Sequence, residues 1–490
     1  MNPRRLLRLS AVVLALAVVT VASLRADDRS APPVDFAARF EQIKRAATRA
    51  ELYTFLYDLP KGGDLHNHFG GSIWPSMWYA AATDPTRNGG DEFFVRTRIA
   101  NCPDCTEPLL LWRTLSRFNY QRLPACCRDE YEPLTKLDAK KKTEWLAAMM
   151  IEPSGPGARE KFFEQTWPRL NDLFNNPFLL AELLVENMKR FGAEGVRYLE
   201  TQAGFSQMVR ADGSAVSPEA ALDIIRERLA RPDAKATGVT VRFQKTILRF
   251  LPDAERSLEE AFALVAANRD IYVGINLAGR EDNQRGHPLR FLETFRRLRR
   301  LYSGIGLSIH AGEADAPNKH VRDTLLLGAT RIGHGINLIS DPDTMLLMRQ
   351  NRFLVEINLV SNRLLDYVPD LRTHPFPEYL RTGIPVCLNT DDRGMWDSSM
   401  TDEYFTAVTT FDLTWPEIVQ LGRHSLEYAF VEVPVKQRLL REYAEAVAAF
   451  EKKYSAADWH PALKAVRVIG SGYARRTFQL DFPTDPPKNP

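Results

Sequence analysis

The sequence is short of excess charge, of cysteine and of repeated segments. Its 64 basic and 62 acidic residues leave a formal net charge of only +2, so broad attraction to nucleic acid or to an anionic membrane is not expected. We find no internal repeat and no long low-complexity linker in the 490 residues. The 44% hydrophobic and 26% charged residues are ordinary for a globular protein with a large core. One large domain or two modest ones would fit this length, and a small or neutral ligand is the simpler expectation.

Only one long apolar run occurs, and it lies near the N-terminus. Three arginines precede the apolar stretch 9–24, which is followed by Ala26 and a polar, proline-bearing segment. This order of charged, apolar and small residues is typical of a secretory signal peptide, and the run is short for a membrane span. We therefore expect residues 1–26 to be a signal peptide and the mature protein to be secreted or periplasmic, without a stable membrane anchor. A retained N-terminal anchor is the alternative.

Four of the five cysteines fall in one stretch: Cys102, Cys105, Cys126 and Cys127. Outside the cytosol such a cluster indicates one or two disulfides, and three pairings are possible if all four bond. A structural zinc site is the alternative, but the adjacent Cys126 and Cys127 lack the usual two-residue spacer. Cys387 lies in an apolar, strand-like run and is expected to be an inert buried thiol.

Apolar runs of strand length alternate with helical patterns along the chain. Such alternation predicts repeated β-α units around a parallel sheet, and about eight units is the number in a (β/α)8 TIM-type barrel. The predicted strands are Leu65–Phe69, Val196–Thr201, Val241–Leu248, Tyr272–Leu277, Gly306–Ile309, Arg331–Gly333, Phe353–Leu359 and Pro385–Leu388. We expect one barrel domain over residues 27–482 with extra C-terminal helices, followed by a disordered, proline-rich tail over residues 483–490.

A long insertion, roughly residues 82–157, separates the first two predicted strands and holds the four clustered cysteines. A segment of this length between strands is usually functional or packs as a separate unit. We expect a disulfide-stapled subdomain or the edge of a lid at this position.

One predicted helix carries an arginine-rich face. Its apolar positions recur at helical spacing: Leu289, Leu292, Phe295, Leu298 and Leu301. With these side chains facing inward, the arginines between them form a solvated face rather than a nucleic-acid site.

Histidines and acids follow several of the predicted strands. His66 and His68 lie two apart on the first strand, so their side chains point to the same face, as a pair of metal ligands requires. His310 ends the fifth strand, and Glu313 follows it across a glycine that lets the backbone turn tightly. A third imidazole would complete the metal set, and the glutamate would stand beside it as a proton carrier. Imidazoles and a carboxylate that converge from distant segments predict a catalytic zinc site, although other divalent ions also bind such ligands.

Two further motifs belong to the same pattern. His334 stands between two glycines after the sixth strand, where a neutral imidazole is suited to orient or deprotonate a water molecule. Asp391 and Asp392 end the last strand and point in different directions, so that one can meet the metal while the other meets the substrate. His287, near the loop after the fourth strand, is a candidate for lining the substrate pocket. The remaining histidines are expected to be structural or exposed: His320, His374, His424 and His460.

Taken together, these stretches resemble the adenosine deaminases, within the metal-dependent amidohydrolase superfamily. The matching stretches, in family order, are Pro60-Lys61 leading to His66-x-His68, Leu277-Ala-Gly279, His310-Ala-Gly-Glu313, Arg331-Ile-Gly-His-Gly335, Ser361-Asn362 and Leu388-Asn-Thr-Asp-Asp392. They span most of the mature chain. The signal peptide, the insertion and the segment from Gly279 to His287 are more similar to the secreted, growth-factor-related branch, and that resemblance implies a homodimer.

The resemblance implies a role for each motif residue. Zn²⁺ would be held by four side chains: His66, His68, His310 and Asp391. Glu313 would protonate the purine ring nitrogen beside the reacting carbon, and His334 would assist the attacking water. Gly279 would contact the purine, and Asp392 would bond the imidazole edge of the base.

The implied activity is the hydrolytic deamination of a small-molecule purine nucleoside, with adenosine and 2′-deoxyadenosine giving inosine and deoxyinosine plus ammonia. The short His-x-Glu and Pro-Cys-x-x-Cys signature of the cytidine-type deaminases is absent. An amidohydrolase that acts on another aminopurine nucleoside or nucleotide is the alternative. A non-catalytic secreted signalling or binding protein on the same barrel is a third hypothesis.

The chain departs from the compact members of this family at two places. Gly70-Gly71 follows His68, where those enzymes carry an aspartate that reaches the ribose. Arg393 follows the aspartate pair, where the family often has proline. We expect Arg393 to place a cation near the pocket mouth, which would favour a phosphate or another anionic group on the substrate.

Overall fold

The structure is a computed structural model that describes residues 35–151, 157–281, 284–313 and 318–484. The predicted signal peptide and residues 485–490 of the predicted tail lie outside these ranges. Within the described ranges, no helix is long and apolar enough to cross a membrane. From Phe36 onward the described residues belong to one compact unit.

Eight parallel strands form the central sheet, and each is hydrogen-bonded to the next in chain order. We number them β1 (Gly62–His68), β2 (Val196–Gln202), β3 (Thr240–Leu248), β4 (Tyr272–Ala278), β5 (Gly306–Ala311), β6 (Arg331–His334), β7 (Leu354–Ile357) and β8 (Val386–Leu388). The sheet closes on itself, because Asn67 of β1 forms a parallel bridge with Asp391, just after β8. The backbone N–H of Asp391 also donates to the carbonyl of His66 at 2.9 Å. The predicted (β/α)8 barrel is confirmed.

The strands are rich in apolar residues because they are covered on both faces. Strands β4, β6, β7 and β8 are buried along their whole length. Parallel strands with helices outside and packed side chains inside form continuous apolar runs, which is why the sequence pattern was easy to recognise. Charged residues inside such runs are exceptions, and Glu200, Arg331 and Glu356 are all fully buried.

Helices cover the outside of the barrel and follow the strands in order. We number them α1 (Pro177–Ala193), α2 (Pro218–Leu229), α3 (Ala254–Ala267), α4 (Leu292–Leu301), α5 (His320–Leu327), α6 (Pro342–Gln350), α7 (Phe376–Thr382) and α8 (Trp415–Glu427). The Asn176 and Ser217 side chains cap α1 and α2 by accepting a backbone N–H, and a proline follows each cap. Helix α8 packs against β1 and β8 and so covers the seam of the barrel.

Further helices extend the barrel at both ends of the chain. Two precede it and two follow α8: Phe36–Ala46, Arg49–Asp58, Val433–Tyr454 and His460–Lys464. Aromatic contacts join the two sets, since Phe36 packs on Phe450 and Phe55 on Tyr454 with ring centroids 6.3 and 4.8 Å apart. The predicted extra C-terminal helices are therefore present. Other helices follow the strand ends: Pro75–Ala82, Leu359–Leu364, Arg393–Trp396 and Met400–Phe411.

The insertion after β1 contains a small antiparallel sheet of its own. Its three strands, in sheet order, are Thr114–Ser116, Phe93–Arg96 and Tyr131–Pro133. Two disulfides crosslink it. They follow one of the three possible pairings: Cys102–Cys126 and Cys105–Cys127. A small core is separate from the main core and consists of Phe94, Leu115, Cys127 and Tyr131. Because all four sulfurs are paired in these two disulfides, none of them is left as a thiolate for the alternative zinc site.

The end of the insertion returns to the mouth of the barrel. It does so through Ala158–Lys161, the π-helical segment Phe162–Thr166 and the turn Trp167–Leu170. π-helical turns are rare and occur frequently at functional sites. This segment supplies several of the aromatic side chains that line the cavity of the barrel.

The arginine-rich helix α4 has a narrower buried face than its spacing predicts. Phe295 and Leu298 are buried, but Leu289 and Leu301 are 40% and 66% exposed. Leu289 lies before the helix, in the 3-10 turn Pro288–Phe291, where helical spacing does not apply. Leu301 is the last helical residue, where the helix ends at the surface. The arginines of this helix are exposed, as expected.

The first residues of the predicted disordered tail are held in place. The backbone N–H of Gly470 donates to the carbonyl of Pro483 at 2.7 Å, and Arg190 donates to the carbonyl of Thr484 at 3.1 Å. Pro483 and Thr484 thus make hydrogen bonds with the rest of the chain, and the disorder of the tail stays a prediction.

Candidate active site

The carboxyl ends of β1, β5 and β8 bring three histidines and an aspartate to one point. Nε2 of His310 lies 3.1 Å from Nε2 of His66 and 3.3 Å from Nε2 of His68. Oδ1 of Asp391 lies 3.3 Å from Nε2 of His68 and 3.6 Å from Nε2 of His66. Donor atoms that face one small space from separate strands are what a metal site at this face of a barrel requires. The structure thus brings together all four residues that were predicted as ligands.

The other ring nitrogens of two of these histidines are already bonded. Nδ1 of His66 lies 2.7 Å from Oε2 of Glu356, and Nδ1 of His310 lies 2.9 Å from Oδ1 of Asn276. An oxygen acceptor at Nδ1 holds the hydrogen there, so the lone pair of Nε2 is turned toward the shared space. This is the arrangement by which proteins orient histidines toward a metal ion.

The Asp391 carboxylate is satisfied on one side only. Its Oδ2 accepts a hydrogen bond from the Ser361 hydroxyl at 2.6 Å, whereas the buried Oδ1 has no hydrogen-bond partner among the described residues. Burial alone would raise the pKa of Asp391, but the close approach of His68 Nε2 and the charges of the neighbouring histidines hold it below its ordinary value. An ionised and half-satisfied carboxylate among three imidazoles fits a divalent cation.

His334 adds a fourth imidazole to this region. It belongs to a group of residues whose ligand atoms all lie within 4.8 Å of one another, with His66, His310 and Asp391. Its Nδ1, however, accepts from the side-chain amides of Asn358 and Asn362 at 3.2 and 3.0 Å, and lies 3.4 Å from Oε1 of Glu313. His334 is therefore held beside Glu313, and His68 remains the better third histidine ligand.

The residues around His334 keep it close to the metal ligands. His334 has a φ of 63°, in the left-handed region that side chains other than glycine seldom adopt and that is enriched at functional sites. A Cβ on the preceding Gly333 would lie 2.6 Å from Cε1 of His66, so a larger residue there would displace the imidazole. The small neighbours noted in the sequence are thus required by the close approach of two histidines.

Glu313 stands at the edge of the same space. Gly312 turns the chain with a φ of 75°, and the backbone N–H groups of Gly312 and Glu313 donate to the Glu281 carboxylate at 3.1 and 2.5 Å. Burial raises the pKa of Glu313 well above its ordinary value, and the negative charges of Asp391 and Glu281 raise it further. A carboxyl group that keeps its proton toward neutral pH is suited to act as a general acid.

Asp392 and Gly279 both line the cavity. Oδ1 of Asp392 is buried and has no hydrogen-bond partner within the described part of the chain. Burial raises the pKa of Asp392 well above its ordinary value, and the charges of Asp391 and Glu313 add to this effect. A buried carboxyl group without a partner at a cavity wall is placed to bond a ligand atom.

The cavity itself has a volume of about 500 Å³, which is in the range of small-molecule sites. Part of its wall is aromatic and consists of Phe162, Phe163, Trp167, Phe174, Phe250 and Tyr367. Gln202 at the end of β2 and Thr246 near the end of β3 also line it, and their side-chain polar atoms lack partners among the described residues. An apolar wall with a few unpaired polar groups suits a flat ring with polar edges.

Comparison with known proteins agrees with this arrangement. The sequence model of the adenosine deaminase family matches residues 160–446. The chain belongs to the adenosine deaminase family. An adenosine deaminase of Enterococcus faecalis is 34% identical over 191 residues, which cover 39% of this chain and 55% of that protein. An adenine deaminase of Chelativorans is 32% identical over 269 residues, which cover 53% of this chain and 77% of that protein. The matched part thus spans about half the length of the Enterococcus protein.

A solved structure shares the same barrel. An amidohydrolase from Burkholderia ambifaria, solved with bound zinc, superposes with a TM-score of 0.61 at 19% identity. The superposition covers 84% of this chain and 96% of that one. At this identity the likeness concerns the fold alone.

The first departure from the compact members of the family has a steric cause in this chain. The ring of Phe174 occupies the space above Gly70, and a Cβ on Gly70 would overlap that ring. Trp167 stacks on Phe174 with ring centroids 5.6 Å apart, and it meets the ring of His68 edge-on at 6.2 Å. Here an aromatic wall stands where those deaminases carry an aspartate.

The prediction of a cation at the pocket mouth is wrong. Arg393 is fully buried and is absent from the residues that line the cavity. Its guanidinium donates to Glu194 at 3.1 Å and to Oδ1 of Asn187 at 2.7 Å, and it lies 3.3 Å from the ring centroid of Phe191. Because a buried carboxylate neutralises it, Arg393 ties the end of β8 to helix α1 instead of facing a ligand.

The structure places His287 outside the residues that line the cavity. Its Nδ1 accepts the backbone N–H of Leu289 at 3.2 Å, and its Nε2 lies 4.0 Å from Asp323. The side chain is 40% exposed. His287 thus caps the turn that follows it, which explains why its imidazole does not reach the cavity.

Several residues to which the sequence analysis gave no role at the site form hydrogen bonds with residues of the site. His374 is buried, with Nε2 3.1 Å from Oδ1 of Asn362, and Nδ1 of His320 lies 3.0 Å from the Glu281 carboxylate. Both histidines were expected to be structural or exposed. Glu356 had one sequence signal, because it is a charged residue inside an apolar strand. The others lie in loops and short helices, where no periodic pattern distinguishes them.

Proposed function

We propose that this protein is a metal-dependent deaminase that converts adenosine and 2′-deoxyadenosine into inosine and deoxyinosine with release of ammonia. The observation that carries the proposal is the meeting of Glu313, His334 and the His–Asp cluster at a cavity with an aromatic wall. Family membership supports it, and the relatives named above are an adenosine deaminase and an adenine deaminase.

The metal site would be formed by the cluster at the strand ends: His66, His68, His310 and Asp391. We propose zinc, because imidazole and carboxylate ligands suit it. Zinc supplies the Lewis acidity that activates water near neutral pH.

The side chains of the cavity divide the remaining work. Glu313 donates its proton to the ring nitrogen next to the amino-bearing carbon, while the oxygen of water adds to that carbon. His334 holds the incoming water by a hydrogen bond. Glu313 regains a proton from the added water, the remaining hydroxyl proton passes to the amino group, and the carbon–nitrogen bond breaks as the carbonyl forms and ammonia leaves. Asp392 hydrogen-bonds the imidazole edge of the purine, and Gly279 contacts the base, so that the reacting carbon faces the metal site.

A second candidate is deamination of adenine or of another aminopurine. One observation favours it, since the Phe174 ring above Gly70 leaves an apolar surface where compact adenosine deaminases offer a carboxylate to the sugar. A substrate without a ribose hydroxyl at that point would lose no hydrogen bond when the carboxylate is replaced by this apolar surface.

The test follows the loss of adenosine absorbance after addition of the purified, metal-loaded mature protein, with a Glu313→Gln variant beside it. We expect conversion to inosine by the wild type and a kcat lower by about 100-fold or more in the variant. Adenine and adenosine nucleotides, run in parallel, identify the preferred substrate. If a folded, metal-containing protein deaminates none of these, the proposal fails and a binding or signalling role takes its place.

We also propose that the enzyme is exported and acts as a secreted or periplasmic protein. The two disulfides of the insertion support this, because such bonds persist in oxidising compartments. Cell fractionation with N-terminal sequencing tests it, and a mature chain that begins after Ala26 is the expected result. A reduced, cytosolic chain that keeps its first residues would contradict it. The homodimer implied by the resemblance stays a prediction, which light scattering can check.

A further inference from the structure

We propose that His374 and Asn362 are positioning residues that fix the tautomer of His334, so that His334 meets the reacting water as a hydrogen-bond donor. The inference rests on the proposed function, in which His334 assists that water. It is carried by a series of buried hydrogen bonds whose directions can be assigned one after another.

The series begins at a backbone amide. The N–H of Phe376, at the start of α7, points to Nδ1 of His374 at 3.0 Å. A backbone amide can only donate, so this ring nitrogen is an acceptor and carries no hydrogen. Burial lowers the pKa of His374 to about 3, so the ring is neutral and its single hydrogen lies on Nε2.

The second bond sets the orientation of an amide side chain. Nε2 of His374 lies 3.1 Å from Oδ1 of Asn362, and it donates to this oxygen. The Asn362 side chain is fully buried, and its backbone is fixed by the short helix Leu359–Leu364. With its oxygen bonded to His374, the amide turns its NH2 group toward His334.

The third bond decides the state of His334. Nδ2 of Asn362 lies 3.0 Å from Nδ1 of His334, and Nδ2 of Asn358 approaches the same atom at 3.2 Å. Because an amide NH2 group only donates, Nδ1 of His334 is an acceptor. A ring whose Nδ1 is an acceptor carries its hydrogen on Nε2.

The tautomer decides between two roles for His334. With a hydrogen on Nε2, that nitrogen has no lone pair to take a proton from water, and it donates a hydrogen bond to the incoming oxygen instead. The opposite tautomer would offer a base at Nε2 and would direct a hydrogen from Nδ1 against two amide donors. The series of hydrogen bonds from Phe376 through His374 and Asn362 thus makes Nε2 of His334 a hydrogen-bond donor.

The first experiment reads the tautomer directly. The zinc-loaded mature protein is labelled with ¹⁵N-histidine, and the His334 signals are identified by their loss in a His334→Asn variant. We expect long-range ¹⁵N–¹H spectra to show an unprotonated Nδ1 and a protonated Nε2. A hydrogen on Nδ1 would overturn the proposal whether or not the protein turns over substrate. Failure of the proposed function has a different signature, which is the expected tautomer without deamination.

The second experiment reverses the hydrogen bond between Asn362 and His334. Asn362→Asp keeps the size of the side chain but replaces the donor to His334 by an acceptor. We expect kcat to fall by about 100-fold with KM changed by less than about threefold, together with a shift of the His334 hydrogen to Nδ1. Asn351→Asp, the same change at an exposed residue that follows α6, should keep the wild-type kcat. A folded Asn362→Asp variant with wild-type kcat would refute the inference.

The third experiment separates hydrogen bonding from packing at His374. His374→Gln keeps an N–H group at the position of Nε2, whereas His374→Phe keeps the ring shape without a donor. We expect the glutamine variant to retain a kcat about tenfold higher than the phenylalanine variant. Equal losses in both variants would show a packing role only. If both variants fail to fold, the spectrum of the wild type still decides.

Discussion

Glu281 acts on Glu313 both through hydrogen bonds and through its charge. Its carboxylate accepts the backbone N–H groups of Gly312 and Glu313, and Nδ1 of His320 lies 3.0 Å from it. Its charge also adds to the effects that raise the pKa of Glu313. Glu281 therefore both holds the turn that carries Glu313 and helps to keep Glu313 protonated.

The Glu281→Gln variant tests the electrostatic part of this role. Glu313 is active while it is protonated, so kcat/KM falls as the pH rises through its pKa. Loss of the Glu281 charge lowers that pKa, and we expect the alkaline limb of the pH profile to move to lower pH. Glu293→Gln, the same change at an exposed site, should leave the limb in place. An alkaline limb that stays at the wild-type pH in Glu281→Gln would contradict the expectation.

The contact between Gly70 and Phe174 predicts a pair of coupled substitutions. Gly70→Asp introduces the carboxylate of the compact deaminases into space that the Phe174 ring already fills, so we expect kcat/KM for adenosine to fall at least about tenfold. Phe174→Ala removes that ring, and the double variant should recover activity relative to Gly70→Asp alone. Steady-state kinetics on the three variants gives the coupling. Additive losses would show that the two sites are independent.

Among the elements, two helix ends depend on one buried lysine at the start of β1. Nζ of Lys61 donates to four backbone carbonyls, at 2.5 to 3.2 Å: those of Leu56, Tyr57, Leu59 and Glu194. These carbonyls end the helix Arg49–Asp58 and follow helix α1, where orphan acceptors need a partner. Lys61 therefore joins both helix ends to the amino end of the barrel, away from the metal cluster.

Replacement of this lysine by methionine should destabilise the fold. Lys61→Met leaves buried carbonyls without a donor, and we expect the free energy of unfolding to fall by about 2–5 kcal/mol. Urea unfolding of the wild type and the variant measures the difference. Lys453→Met, at a partly exposed ion pair with Asp58, should change stability by less than about 1 kcal/mol. A stability unchanged by Lys61→Met would show that water reaches these carbonyls.

The barrel strands and the meeting of the histidine–aspartate cluster could be predicted from sequence because short patterns carry both. The strands are apolar runs of strand length, and His66, His310 and Asp391 stand at or after strand ends. By contrast, the positions of Phe174 and His374 depend on how the insertion and a loop pack across the barrel mouth. No local pattern encodes such contacts between distant segments. Arg393 shows the same limit, because only its buried neighbours reveal that it turns toward α1.

At the scale of the whole molecule, the insertion has a small core of its own beside the main core. The small core lies next to both disulfides, whereas Phe93 and Val95 of the insertion sheet pack in the main core with the barrel and its helices. A crosslink stabilises mainly the segment whose unfolded chain it constrains. Loss of the disulfides should therefore act locally.

Hydrogen exchange tests this separation. When all four bonded cysteines are replaced by serine, we expect the opening free energy of the insertion strands to fall by about 2–4 kcal/mol. The amide protection of β4 and β5 should stay the same, because the apolar side chains of these strands pack in the main core. Cys387→Ser, which changes a buried thiol outside the disulfides, controls for the substitution itself. A parallel loss of protection in the barrel strands would show that the two units unfold together.

The bridge between Asn67 and Asp391 also determines when, during synthesis of the chain, the proposed metal site can form. His66 and His68 leave the ribosome early in synthesis, but Asp391 emerges only after all the other strands of the barrel. A nascent chain that stops before β8 lacks Asp391 and therefore one of the four proposed ligands. The first two proposed ligands must wait for the last strand to arrive, and a metal ion held by all four side chains would mark a chain in which all eight strands have come together.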